Sequence, residues 1–263
     1  MCSLNSWLYL VIGFLQGVFE WLPVSSKTVV MLFASFIGGV PLLESYLLAV
    51  VLQGGTIVAA VVFFRKILTQ IFRYNYLLEF LLISTLVTGL FGLPIFIIIY
   101  MFLPRLNTPV TTLLVGLLLL FQYFMRRRRG GGVKTMSNIN LVDSVLFGIA
   151  QSFAVLPGVS RSGSTIIALI FMNYRLEDAM KLSFLASIPA NLGGTLLALY
   201  TSRTVVAEPA SNLLVAFLVS AVVGLLTIRY LLKFSLKHSQ KLILFMSLIT
   251  LITGLLGMIL KTT

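Results

Sequence analysis

The sequence predicts an all-α polytopic membrane protein. It is expected to hold two inverted-topology repeats, each one re-entrant helix–loop–helix plus three transmembrane helices. Three observations carry that expectation. The composition is membrane-grade: 59% of 263 residues are hydrophobic, 10% are charged, and mean hydropathy is +1.07. Soluble domains carry about 25% charged residues. Stretches close to the ~20 apolar residues of a spanning helix recur along the chain. And a polar motif that breaks one hydrophobic stretch returns, slightly altered, in the second half.

Taken in order, Leu8 to Val40 is too short for two spans and is broken by Leu22-Pro23-Val24-Ser25-Ser26-Lys27. It reads as a helix–loop–helix that enters the bilayer and returns to the same side. Spans follow at Leu43 to Phe64, Tyr76 to Phe102 and Val110 to Phe124. Residues 126–140 hold four consecutive arginines, three glycines and Lys134. They read as an exposed basic cytoplasmic linker between a first repeat, 1–129, and a second, 136–263, within one membrane domain, 1–263. Val142 to Phe171 is again broken, by Pro157-Gly-Val-Ser-Arg-Ser-Gly-Ser-Thr165. Spans follow at Ala179 to Tyr200, Leu213 to Leu232 and Leu242 to Leu260.

The halves resemble each other. Leu22 to Lys27 aligns with Leu156 to Arg161, placing Ser26 on Ser160 and Lys27 on Arg161. Gln16 and Gln151 lie upstream of the two prolines. Gly54-Gly55-Thr56 returns as Gly193-Gly194-Thr195, each in the first span after its broken segment. An odd number of spans per copy inverts the second copy, and such repeats place a ligand site at their interface near the midplane.

Charge gives the orientation. Of 19 basic residues, 14 fall on one predicted face, 3 on the other and 2, Lys27 and Arg161, at the re-entrant tips. The positive-inside rule puts both termini outside the cytoplasm. The net charge of +12 is therefore assigned to topology and anionic headgroups, and no nucleic-acid partner is expected. One cysteine, Cys2, excludes an intramolecular disulfide, and one histidine, His238, excludes a histidine-cluster metal site. No cleaved signal peptide is read at the N-terminus. His238 is expected to be solvated in a basic loop.

Most acidic residues lie near segment ends, where a solvated carboxylate needs no explanation; Asp143 is read this way. Glu20 differs, since it lies inside the first broken segment with Gln16 one helical turn earlier on the same face. It is either a structural partner of Lys27 or Arg161, or a functional carboxylate that binds a divalent cation or orients a nucleophile. Around the tip cations stand Ser25, Ser26, Ser160, Ser162, Ser164 and Thr165. Hydroxyls in helices also back-bond to the preceding turn. With Gly158-freed backbone, the fork of Arg161 and two helix N-termini, the set suits phosphate or diphosphate. Gly54, Gly55, Gly193 and Gly194 are expected to be helix-packing residues. Asn191 and Pro189 are expected to loosen a helix beside the site.

The chain resembles the undecaprenyl-diphosphate phosphatase family of bacitracin-resistance membrane proteins. The first family motif reads here Gln16-Gly-Val-Phe-Glu20-Trp21-Leu22-Pro23-Val24-Ser25-Ser26, and the second is Pro157 to Thr165. Gln53-Gly-Gly-Thr56 and Ser183 to Pro189 also look like family signatures. The resemblance implies a plasma-membrane, multi-pass, metal-dependent phosphatase whose site opens to the outer face. Its substrate would be a C55 polyprenyl diphosphate, cut to the monophosphate to recycle the carrier lipid. It implies a catalytic group of Glu20, Ser26 as nucleophile and Arg161. Substrate would be bound by Gln16, Ser25, Lys27, Gln151, Gly158, Ser160, Ser162 and Thr165, and Mg²⁺ or Ca²⁺ would sit on Glu20. A homodimer is compatible with this reading. Val29 stands where family members carry a histidine after the serine pair. Glu20 or a metal-bound hydroxide then does that work, the substrate is a variant polyprenyl diphosphate, or the protein chiefly moves lipid. A polyprenyl-phosphate flippase or anion transporter is the alternative function.

Overall fold

The structure is a computed structural model that describes residues 6–69, 71, 75–126, 132–202 and 209–261. Cys2, Arg73, Arg127 to Arg129, Arg203 and Glu208 lie outside that set. In chain order the helices are α1 Ser6–Phe19, α2 Ser26–Phe36, α3 Leu42–Leu68, α4 Asn75–Phe102, α5 Thr108–Arg126, α6 Leu141–Ser152, α7 Arg161–Phe171, α8 Leu176–Thr201 and α9 Ala210–Lys261. The 3₁₀ turns Leu103–Arg105, Met136–Asn138 and Phe153–Val155 lie between them, and no strand occurs among the described residues.

Six helical spans are long and apolar enough to cross a membrane, among them Leu42–Leu68, Asn75–Arg105 and Leu176–Thr201. At 1.5 Å per residue, 27 residues of α3 reach about 40 Å, more than the ~30 Å of hydrocarbon. The 11 residues of α2 or α7 reach only about 17 Å. α1/α2 and α6/α7 are therefore the broken pairs the sequence predicts. Each break is written locally. Pro23 and Pro157 force their preceding residues, Leu22 and Leu156, out of the helical region. Ser25 and Ser160 then stand in extended conformation as N-caps, and the Ser160 hydroxyl accepts from Gly163 N–H at 3.1 Å.

The caps match the two broken segments in a different register from the sequence. Sequence alignment pairs Ser26 with Ser160 and Lys27 with Arg161. The helix starts instead pair Ser25 with Ser160 and Ser26 with Arg161. The second loop holds one more residue, and Gly158 absorbs it at φ +92°. Only glycine takes that conformation without strain.

Two further differences concern the ends of segments. The last two spans, Ala210–Ser235 and Gln240–Ile259, lie in one continuous helix where a loop is expected. The intervening Lys233-Phe-Ser-Leu-Lys-His-Ser-Gln-Lys241 has no proline or glycine to stop a helix. His238 is accordingly helical and stacks on Phe234, with ring centroids 4.7 Å apart. The first half of α9 packs on α1 and α3, where a Cβ on Gly13 would meet the Ala216 carbonyl at 2.5 Å. The second half packs on α5, with Gly254 against Leu113 and Gly257 against Pro109. Small residues at these crossings let the backbones touch.

Asp143 is not a solvated helix-end carboxylate. It is 5% exposed, accepts from the Tyr174 hydroxyl at 2.6 Å and pairs with Lys134 at 3.2 Å. Lys134 also exchanges backbone hydrogen bonds with Asn173 and Arg175, so the end of the basic linker is tied to the α7–α8 corner. Asn173 turns that corner at φ +71°, a region asparagine tolerates. Burial, reinforced by the Asp143 hydrogen bond and charge, raises the Tyr174 pKa. Tyr174→Phe should lower stability by about 1.5–3 kcal/mol, as for a buried hydrogen bond to a charged group. The sign for pH follows from the raised value. The contribution is complete below the unfolded tyrosine pKa of about 10 and falls as pH rises beyond it. Thermal unfolding in detergent at pH 7 and pH 11 measures both, and the variant should have the smaller loss on alkalinisation.

Candidate active site

The two broken segments meet tip to tip at a cavity of about 430 Å³. The α1–α2 loop delivers Glu20, Ser25, Ser26 and Lys27; the loop before α7 delivers Ser160, Arg161 and Ser162; α8 adds Asn191. The contacts run both ways across the tips. Gly158 N–H donates to Thr28 Oγ1 at 2.7 Å, Ser162 Oγ donates to the Leu22 carbonyl at 3.4 Å, and the Lys27 ammonium donates to the Ala154 carbonyl.

Glu20 is the hub. Its Oε1 accepts from Arg161 Nη2 at 2.7 Å and Asn191 Nδ2 at 3.1 Å. Its Oε2 accepts from Ser26 Oγ at 2.7 Å and Gln16 Nε2 at 2.9 Å. Four donors fill the in-plane acceptor positions of one carboxylate. They fix its orientation, and the Ser26 proton already points at it. Glu20 is thus the ion-pair partner of Arg161 and also the acceptor of the Ser26 hydroxyl. No imidazole stands between Ser26 Oγ and the carboxylate.

Arg161 sits in the first turn of α7, where the helix dipole disfavours a cation. Glu20 offsets that cost. The second nitrogen of the fork, Nη1, donates to the Ser183 carbonyl at 3.1 Å, and the guanidinium carbon lies 5.6 Å from the Phe184 ring centroid. Trp21 packs on the same ring at 5.7 Å. Arg161 is thus aimed by three groups, while its Nε has no protein partner. Lys27 does not duplicate it. Its ammonium lies 5.8 Å from the Tyr46 ring, and Tyr46 OH holds the neighbouring Val155 carbonyl at 2.8 Å. Lys27 and Tyr46 together anchor the 3₁₀ turn Phe153–Val155 ahead of the second tip.

Other expected residues divide. Gln16, buried completely, bonds Glu20 but keeps Oε1 unpartnered. Gln151 lines the cavity, donates to Thr88 Oγ1 at 3.0 Å and also keeps Oε1 unpartnered. Ser25, Ser160 and Ser162 line the cavity. Gly158 and Thr165 do not line it. The Gly158 N–H is given to Thr28, and Thr165 Oγ1 bonds the Arg161 carbonyl at 2.8 Å and Ser183 Oγ at 2.7 Å. Both shape the tip from behind. Asn191 is not a helix-loosening residue but a direct partner of Glu20. Gln53, from the Gln53-Gly-Gly-Thr56 signature, also lines the cavity, and so do Thr85 and Thr88, which carry no sequence signal beyond being polar residues in an apolar helix.

The donor set does not make a resident divalent-cation site. Such ions take six or more oxygens. Here one carboxylate is shared among four hydrogen-bond donors, one of them a guanidinium, and no group of three His, Cys, Asp or Glu occurs among the described residues. Ser26 beside a carboxylate, an arginine fork and two helix N-termini are the parts of a phosphoryl-transfer site.

Fold and site together define the class: a multi-pass membrane protein with a serine–carboxylate–arginine cluster between two broken helical segments. The chain belongs to the family described as bacitracin resistance protein BacA, which matches residues 9–256. It is similar to an undecaprenyl-diphosphatase of Saccharolobus solfataricus, at 34% identity over 95% of this chain and 96% of the relative. It is also similar to proteins of the same name from Sulfurisphaera tokodaii, at 33% over 86% and 88%, and Pyrobaculum aerophilum, at 32% over 95% and 97%.

Proposed function

We propose that this chain hydrolyses undecaprenyl diphosphate to the monophosphate and inorganic phosphate, with chemistry at Glu20, Ser26 and Arg161. The 2.7 Å hydrogen bond from Ser26 Oγ to Glu20 carries the proposal. A hydroxyl donating to a fixed carboxylate is a nucleophile already joined to its base. Ser26 Oγ attacks the terminal phosphorus and passes its proton to Glu20 Oε2. The bond from that phosphorus to the bridging oxygen breaks, and the lipid monophosphate leaves. Water then cleaves the phosphoseryl bond, releasing phosphate and restoring Ser26. Arg161 and the N-termini of α2 and α7 stabilise charge on the transferred group. Lys27, Gln151 and the cap serines complete the lining that holds the two phosphates, with Gln16 fixing Glu20 from behind. Mg²⁺ or Ca²⁺ arrives as part of the metal–diphosphate substrate and needs no cage of protein ligands.

Ser26→Ala tests the covalent step. Phosphate release should fall by about 10²–10⁴-fold, and a rapid-quench burst seen in the parent should vanish. Near-full turnover by the variant would leave direct attack by water as the route.

The proposal includes two inverted repeats with both termini outside the cytoplasm, an arrangement that requires the continuous α9 to turn back at Lys233–Lys241 in the bilayer, and a site reached from the outer face. The mutual contacts of the tips support the pairing, as does the α3–α8 crossing, where Thr195 Oγ1 donates to the Val50 carbonyl at 3.2 Å. Accessibility of tags at both termini in intact cells tests it.

A further inference from the structure

We propose that a lateral slot between the middles of α4 and α8 is the doorway through which the prenyl chain of the substrate runs into the bilayer, with Gly89 and Gly193 as its jambs. The proposal rests on the phosphatase reading and adds to it the path of the tail.

The sequence expectation for Gly193 and Gly194 is tight helix packing, as found for their counterparts. A Cβ on Gly55 would overlap the Ser220 hydroxyl, and one on Gly54 would meet Phe217 at 3.1 Å. Gly193 and Gly89 are different. A Cβ at either would meet nothing within 4 Å, and one on Gly194 would meet only Val50, at 3.6 Å. Close approach of helices does not explain these glycines. All three line the same cavity as Glu20, Ser26 and Arg161. Gly89 and Gly193 are also exposed, and both lie near the midpoints of helices that span the membrane. The cavity therefore reaches the molecular surface at mid-bilayer depth, where the solvent is acyl chain. Leu86, Leu90, Leu192 and Leu196, beside the opening, are 72%, 70%, 49% and 59% exposed, as lipid-facing residues should be.

The cavity is polar at one end and apolar at the other. Beyond the tips its walls are Val50, Leu93, Phe96, Val155 and Leu197. Gln151, 2% exposed on this wall, keeps an unpartnered amide oxygen. A cavity of about 430 Å³ cannot hold a 55-carbon chain, which at ~30 Å³ per carbon-sized group occupies roughly 1,600 Å³. The rest of a long chain has to leave the protein, and the slot is apolar, side-chain-free and continuous with lipid.

The test uses Gly193→Phe and Gly89→Phe in the full-length protein. A Cβ at either position meets no heavy atom within 4 Å, so the expected effect of each ring is to occupy the slot rather than to disturb helix packing. For C55 diphosphate, kcat/KM should fall at least tenfold. For a five-carbon prenyl diphosphate, whose tail is too short to need the slot, it should stay within twofold. Equal loss on both substrates, or unchanged turnover of the C55 lipid, would overturn the proposal. A methylene-bridged C55 diphosphate carrying a diazirine on its third isoprene unit gives a second readout that needs no turnover. Its crosslinks should map to residues 86–93 of α4 and 189–197 of α8; labelling confined to other helices would refute the slot. Should the parent protein release no phosphate, the phosphatase reading fails, while the crosslinks still decide the path of the chain.

Discussion

Glu20→Gln should cut phosphate release from C55 diphosphate by about 10²–10⁴-fold, the range for loss of a positioned general base, with little change in KM. The substitution keeps the size of the side chain and one carbonyl acceptor. It removes the charge that pairs with Arg161 at 2.7 Å and the base that faces Ser26. Because breaking a buried ion pair costs about 3–5 kcal/mol, the same variant should also melt earlier in detergent. A tight non-hydrolysable diphosphate should recover part of that loss, since the ligand supplies the missing negative charge. Activity within tenfold of the parent would remove Glu20 from the chemistry.

Arg161→Lys should be nearly as severe, lowering kcat/KM by about 10²–10³-fold, as for loss of one transition-state donor. The charge is conserved, so a purely electrostatic role would be spared. The fork is not conserved. Arg161 holds Glu20 with one nitrogen and the Ser183 carbonyl with the other while its plane rests on Phe184. A lysine ammonium is a point charge on a flexible stem and cannot keep all three. Steady-state kinetics on C55 diphosphate checks this, and a Lys variant as active as the parent would show that Arg161 supplies only charge.

Much of this arrangement was readable in the sequence because membrane-embedded polar residues are costly and so stand out. Pro157 to Thr165 and Leu22 to Lys27 interrupt apolar stretches, and both broken segments form as expected. Glu20 could be singled out because it lies deep in its broken segment beside the interruption, whereas Asp143 stands at the outer end of the other. What escaped the sequence depends on three-dimensional facing. Asn191 is one polar residue among several in α8, and only the approach of α8 to the first tip puts its amide on Glu20. Lys27 and Arg161 align in sequence, yet one extra residue at Gly158 shifts the second helix start, so the two cations do different work. Asp143 looked like an ordinary helix-end carboxylate because its partners, Tyr174 and Lys134, come from either side of it in the chain. The slot glycines look the same in sequence as packing glycines. Only the empty space at Gly89 and Gly193 separates the two roles.

The central claim is that this chain breaks the terminal phosphoanhydride bond of a membrane diphosphate at the Glu20–Ser26–Arg161 centre. The most direct measurement is inorganic phosphate released from C55 diphosphate by the purified full-length protein, compared with its Glu20→Gln variant in the same detergent. The account predicts catalytic release by the parent, together with C55 monophosphate in equal amount, and its loss in the variant. Undiminished release by the variant would contradict it. So would no release by a folded parent that moves C55 phosphate across vesicle membranes.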